Sequence, residues 1–211
     1  MKRLLIFLTA VLLILGLSAC GSNNTNNETP VPAETATARP EETTAPEPEN
    51  TETGNKTLVI YFSATGTTED VAEKIAEITD GDLYEILAKE EYTSADLNWN
   101  DSSSRSTQEQ NDKNCRPEIG SGEVSFDGYT TIYIGYPIWW GEEPRIMDTF
   151  VESHDFTGIT VIPFCTSSSS GLGVSGKNLA KNAGTGNWLE GKRFGAGPSK
   201  EDLASWIDSL Q

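Results

Sequence analysis

Thr57-Leu-Val-Ile-Tyr-Phe-Ser-Ala-Thr-Gly-Thr-Thr68 decides how the rest of the chain reads. Six residues rich in strand formers run into a turn of small hydroxyls around Gly66, and the period then changes. Val71, Ile75 and Ile78 recur at helical spacing, with Ala72 and Ala76 beside them. A wholly apolar strand that passes straight into a helix predicts a parallel sheet covered on both faces.

The same alternation continues downstream. Residues 82–87 alternate like a strand, and 130–135 and 159–165 are further apolar runs. A helix is expected over 144–151, with Ile146, Met147 and Phe150 inward. Ser199-Lys-Glu-Asp202 resembles a capping box ahead of a last helix carrying Leu203, Trp206, Ile207 and Leu210. A weak fifth strand is expected within 188–194. The fold class is therefore α/β, a three-layer sandwich around a five-stranded parallel sheet. In such sheets ligands sit at the carboxyl ends of the strands, near the point where strand order reverses.

The loops after the first, third and fourth strands are accordingly the places for chemistry. Ser63, Thr65, Gly66, Thr67 and Thr68 combine hydroxyls, a permissive glycine and the N–H groups of an opening helix, a phosphate cradle that needs no basic side chain. Gly135-Tyr-Pro-Ile-Trp-Trp-Gly141 follows the third strand. Its adjacent indoles offer a flat apolar face, and Gly141 permits close backbone approach. One core tryptophan beside one interface tryptophan is the plainer account of the pair. After the fourth strand, Thr166, Ser167, Ser168, Gly171 and Gly173 supply small donors able to wrap a ligand edge, or form a simple serine loop.

These three loops, in this order and with Pro163-Phe-Cys-Thr166, resemble the flavodoxin family, and most closely its bacterial branch with a Pro-Ile-Trp-Trp loop. The resemblance covers roughly 57–211. It implies a flavodoxin-like sheet of strand order 2-1-3-4-5 that binds FMN. The first loop then matches the phosphate site, and Pro137, Ile138, Trp139, Trp140 and Gly141, with the loop 166–173, match the surroundings of the ring. Trp140 best matches the tryptophan that covers one flavin face, and Gly141 the glycine whose peptide can turn toward N5 of the reduced ring. Where many members bring a tyrosine to the other face, this chain has only serines and Leu172.

The 211 residues divide unevenly around this domain. Lys2 and Arg3 precede a sixteen-residue apolar run, 4–19, too short for a typical spanning helix and fitting a signal peptide. Leu17-Ser-Ala-Cys20 resembles a bacterial lipobox, which makes Cys20 the lipidated amino terminus of an exported protein. Residues 20–56 hold no aromatic residue and seven Glu, and read as a disordered tether. Lys2-Arg3 is no twin-arginine pair, so export of an unfolded chain, with FMN captured outside, is expected.

Net charge excludes one broad class of partner. At −17 the chain repels phosphate backbones, which argues against nucleic acid. Of this, 11 basic and 25 acidic residues leave −14 on 57–211. Glu142 and Glu143 stand beside the second loop, where negative charge disfavours an anionic reduced flavin. The expected function is electron transfer with a redox partner protein or a small acceptor, the membrane being reached only through the lipid. An FMN-dependent NAD(P)H or quinone reductase, and a binding lipoprotein with an empty flavin site, are the alternatives.

Other features stay outside this scheme. Gly171-Leu-Gly-Val-Ser-Gly176 fits a dinucleotide pattern but follows the wrong strand. His154, the sole histidine, reads as a surface residue at a helix end, which leaves the serine run a poor nucleophile. Cys115 and Cys165 could pair after export, although Cys165 reads as a small buried residue. Residues 88–128 form a longer connection than a crossover needs, and covering the flavin or docking a partner are both open to it.

Overall fold

The computed structural model describes residues 56–210; the expected signal peptide, Cys20 and the expected tether up to residue 55 lie outside them. Among the described residues no helix is long and apolar enough to cross a membrane. Strand β1 (Lys56–Tyr61) leads into helix α1 (Thr67–Thr79), and β2 (Asp82–Glu85) follows. A long insert carrying the short helix α2 (Arg105–Asn111) separates β2 from β3 (Tyr129–Pro137). Helix α3 (Arg145–Glu152), β4 (Thr160–Thr166) and α4 (Ser175–Ala183) come next. Two short strands, β5 (Asn187–Trp188) and β6 (Lys192–Phe194), precede α5 (Lys200–Asp208).

All strand pairings in the sheet are parallel, in the order β2-β1-β3-β4-β5, with β6 paired to the end of β4. Alternation along β1 builds two cores. Leu58, Ile60 and Phe62 join Ile132, Ile134, Phe150 and Leu179 on the face of α3 and α4. Val59 and Tyr61 join Val71, Ile75, Leu203 and Trp206 on the face of α1 and α5. Burial on both faces is why β1, β3 and β4 read as continuous apolar runs.

Two local constraints shape the sheet at its carboxyl end. A Cβ on Gly135 would lie 2.1 Å from Cζ of Phe164, so the β4 ring occupies the space that a β3 side chain would need. The fifth strand breaks in two beside Pro163. That residue has no N–H to donate toward this edge, and pairing resumes only at Lys192 opposite Phe164.

Helix α4 was not expected from the sequence, because Leu179 is its one buried large apolar residue. It seats Gly176 against Pro163, where a Cβ would meet the ring at 3.3 Å, and Tyr136 Oη shares a hydrogen bond with Ser175 Oγ at 2.9 Å. Ser199 caps α5 as expected, with Asp202 N–H donating to Ser199 Oγ at 3.1 Å, while the Asp202 carboxylate accepts from that hydroxyl at 2.9 Å and not from the Ser199 N–H of a full capping box. Cys115 and Cys165 are both free. Cys165 is fully buried, and desolvation pushes its thiol up to about 12, with Arg193 opposing weakly. His154 packs on Phe150 with ring centres 4.1 Å apart and on Phe126 at 5.1 Å, a structural role at the end of α3.

Gly135→Ala is expected to destabilise the protein by about 1–3 kcal/mol, as overpacking does. In a Phe164→Leu background the alanine should cost less, and urea unfolding of the four proteins measures that coupling. Equal costs in both backgrounds would show that the Phe164 ring is not the obstacle.

Candidate functional site

Loops at the carboxyl ends of β1, β3 and β4 meet around a cavity of about 580 Å3. Sheet order reverses between β1 and β3, so the cavity stands where an open α/β sheet binds ligands.

The first wall comes from the turn into α1. Gly66 is its N-cap at φ +80°, and no side chain caps the helix. The N–H groups of the first turn are therefore free to meet an anion, a geometry that only a residue tolerant of the left-handed region supports. Thr65 and Thr68 line the cavity, and Gly66 and Thr67 continue the turn beside it. Thr68 Oγ1 lies 2.8 Å from Thr166 Oγ1, which joins the first loop to the third. Ser63 borders a neighbouring cavity of about 260 Å3, and its Oγ is buried with no partner. Glu69 and Asp70 occupy the first turn, and Lys74 Nζ pairs with Asp70 at 2.6 Å. A phosphate here would rely on N–H groups and hydroxyls.

The second wall is the turn after β3. Trp139 and Glu142 exchange N–H···O bonds of 3.0 Å in both directions, around Trp140 at φ +49° and Gly141 at φ +82°. Positive φ at both central positions defines a type I′ turn. Such a backbone costs a tryptophan on the order of 1–3 kcal/mol and persists only where neighbours enforce it. Trp139 packs edge-on against Tyr92 at 5.2 Å and Phe62 at 5.7 Å. Trp140 is left 46 % exposed on the cavity, with Pro137 and Ile138 below it. One tryptophan thus anchors the loop and the other is free for a ligand.

The third wall is Ser168, Ser169 and Ser170. Arg193 holds the start of this loop by donating from Nε to Ser167 Oγ at 3.1 Å and from Nη2 to the Ser167 carbonyl. Thr166 serves through its bond to Thr68. Gly171 and Gly173 lie outside the lining, and a Cβ on Gly173 would come within 3.3 Å of the Gly141 carbonyl. That loop therefore backs the Trp140–Gly141 turn. Leu172 packs against the core and does not reach the cavity.

Residues 88–128 contribute a fourth wall that sequence reasoning did not assign. Leu97, Trp99 and Ser106 line the cavity. The ends of the insert are pinned together by the Ala88–Ile119 bridge, with Lys89 N–H donating to Glu118 O at 2.9 Å. Arg105 pairs with Glu109 one turn on at 2.7 Å, and its guanidinium also lies over Tyr92. Gln110 Nε2 donates to the carbonyls of Trp139 at 3.1 Å and Glu143 at 3.2 Å. The only advance signal for Trp99 was a lone indole in a polar stretch of an overlong connection.

Electrostatics beside the second loop differ from the sequence expectation. Glu142 accepts from Arg145 Nη2 at 2.8 Å and from Lys113 Nζ at 3.2 Å; the Arg145 bond chiefly holds its carboxyl below the usual range. Glu143 is 1 % exposed, and desolvation raises its pKa to about 7, with the nearby Asp148 carboxylate adding to the shift. Neither glutamate places a free full charge at the turn near neutrality. At the ring loop the acidity of the domain acts from farther away, while Glu69 and Asp70 stand in the first turn of α1 at the opposite wall.

The fold and the cavity define a doubly wound α/β protein with a ligand site at its topological switch point. The flavodoxin family model matches residues 56–210, and the chain belongs to that family. A solved structure of a presumed flavoprotein from Bacteroides uniformis is 50 % identical, with a TM-score of 0.70 over 74 % of this chain and 99 % of that one. A flavoprotein from Lactobacillus acidophilus, solved in complex with FMN, is 26 % identical, with a TM-score of 0.56 over 73 % and 99 %. No curated protein matches. The residues present fit FMN. An uncapped helix start and an exposed indole on a positive-φ turn border a space of suitable size, and the orphaned Ser63 hydroxyl lies next to it on the neighbouring cavity.

Glu143 gives the site a pH dependence. An unfolded glutamate ionises near its model value of 4.5, whereas buried Glu143 keeps its proton to about 7. Between these values the native state binds the extra proton, so stability present below pH 4.5 is lost as pH rises toward 7. Glu143→Gln removes that loss. Its melting temperature relative to wild type should climb from pH 4.5 to 7 and then level off, a gain of up to about 3 kcal/mol. A difference independent of pH would refute the assignment.

Proposed function

We propose that this protein is an FMN-binding electron carrier, exported and held at the outer face of the cytoplasmic membrane by a lipid on Cys20. The observation that carries the cofactor reading is the meeting, at one cavity, of an uncapped helix start and the Trp140–Gly141 turn. The Lactobacillus acidophilus relative in complex with FMN supports the same choice. When bound, FMN supplies reversible one- and two-electron redox chemistry.

Each wall then has a separate task. Thr65, Gly66, Thr67 and Thr68 hold the phosphate through backbone N–H groups and hydroxyls, with the Ser63 hydroxyl available to the same group. Trp140 presents its face to the ring. A Cβ on Gly141 would meet nothing within 4 Å, so glycine serves that position through its backbone conformation, not through space. Pro137, Ile138 and Ser168 border the ring, and Trp139 fixes the loop from behind. The net charge of −14 on the domain steers basic redox partners and opposes adding negative charge to the ring.

Incubating the flavin-free protein with FMN should produce a bound-flavin absorption spectrum without help from an attaching enzyme. Redox titration should then find full reduction harder than for free FMN. No spectrum would end the cofactor reading; a potential equal to that of free FMN would end the electrostatic one. Steady NAD(P)H consumption with a quinone would favour a reductase over a carrier.

The anchor is testable by itself. Wild-type protein should take up radiolabelled fatty acid in a bacterial host and sediment with membranes, and Cys20→Ser should do neither. A Cys20→Ser protein that still carries the label would remove Cys20 as the lipid site.

A further inference from the structure

Trp99 is the most exposed large apolar side chain among the described residues, at 71 %, and it lines the same cavity as Trp140. An indole exposed to this degree leaves a large apolar face uncovered at the mouth of a ligand site. Slack chain is not the reason, because the loop around it is closely tied. Thr93 donates from N–H and Oγ1 to Asp96 Oδ2 at 2.8 and 2.6 Å. Asn100 N–H donates to Asn98 Oδ1 at 3.1 Å, and Asp101 N–H to Asn98 O at 3.0 Å. The Asp96 carbonyl accepts from Ser106 N–H at 3.0 Å and from Ser106 Oγ at 2.5 Å. Ser106 belongs to α2, and α2 is fastened to the Trp139–Glu142 turn through Gln110.

Two exposed indoles thus stand on separately tied loops that are braced to each other. They line one cavity whose other walls, the turn into α1 and the serine loop, bring no ring. Leu172, the sole large apolar residue of 166–173, packs partly buried against the core and is not in the lining of this cavity. We propose that Trp99 is the second ring-stacking residue of this site, so that the isoalloxazine seats between Trp140 and Trp99. The insert then covers the flavin face that the loop after β4 leaves bare. This inference rests on the FMN reading and deepens it. With both faces covered, the ring meets solvent at its edge. That geometry suits electron exchange with a docked protein and opposes a nicotinamide or quinone laid flat on the ring.

The test titrates the full chain, stripped of flavin, with FMN and separately with riboflavin, following quenching of flavin fluorescence. Wild type, Trp99→Ala and Trp99→Phe are compared. Stacking acts on the ring and not on the phosphate, so Trp99→Ala should raise Kd by the same factor for both flavins, about tenfold. It should also leave the bound flavin brighter and more open to quenching by iodide, with Trp99→Phe restoring most of both effects. Wild-type affinity, brightness and iodide protection in Trp99→Ala would overturn the proposal. So would a loss confined to FMN, which would place the effect at the phosphate loop. Failure of the wild type itself to take up FMN is a distinct result and would overturn the cofactor reading along with this one.

Discussion

The side-chain amide of Gln110 donates to two carbonyls, of Trp139 and of Glu143, on either side of the Trp140–Gly141 turn. The form of the cavity depends on this pair of bonds. A tryptophan in the left-handed region reverts to ordinary backbone unless its neighbours forbid it, and the flanking residues are held from the insert. Arg145 completes the brace by donating from Nη2 both to Glu142 Oε2 at 2.8 Å and to the Gln110 carbonyl at 3.2 Å. A neutral hydrogen bond contributes only about 0.5–1.5 kcal/mol. The strain at Trp140 is of similar size, so it takes several such bonds together to hold the indole toward the cavity.

The same brace explains why a segment outside the sheet belongs to the site. Residues 88–128 leave β2 and return to β3 through paired ends at Ala88 and Ile119. Between those ends Tyr92 inserts its ring beside Trp139 and donates to Glu109 Oε2 at 2.6 Å. Burial, together with that carboxylate, raises the Tyr92 phenol well above its ordinary value, so it stays a donor across the physiological range. One tyrosine thereby links the apolar anchor of the ring loop to the polar staple of α2. The choice between covering the flavin and docking a partner, open in the sequence, narrows once Leu97, Trp99 and Ser106 are found in the cavity wall.

Legibility of the chain follows from what each element packs against. Strands β1, β3 and β4 are enclosed on both faces, so their apolar runs announced them. Helix α1 buries Val71, Ala72, Ile75 and Ala76 on one stripe and kept its period. Helix α4 did not, because it approaches the sheet through Gly176 and needs one leucine to hold it. The fifth strand was expected in one piece. Its break comes from a proline on the neighbouring strand, a pairing that no local window contains. Thr65, Thr68, Pro137, Ile138, Trp139, Trp140 and Ser168 were assigned to the site from sequence and stand in the cavity wall. Gly171 and Gly173 stand behind it, since the loop turns back once the serines have passed. Trp99 escaped notice because its role depends on where a polar connection folds.

Charge shows the same limit in a form that bears on chemistry. Counting residues places Glu142 and Glu143 beside the ring loop as two full negative charges. In three dimensions one is paired with Arg145 and Lys113, and the other is buried deeply enough to share a proton near neutrality. Coulomb energy depends on the medium as well as on distance, and burial alters the charge itself before distance matters. A field acting on the cavity must then come from Glu69 and Asp70 in the first turn of α1 and from the exposed carboxylates spread over the domain, which salt screens within about 10 Å at ordinary ionic strength. A buried charge would tune a flavin in much the same way at any salt concentration. A distributed surface charge instead makes the potential and the capture of basic partners weaken together as salt rises, because both draw on the same screened field.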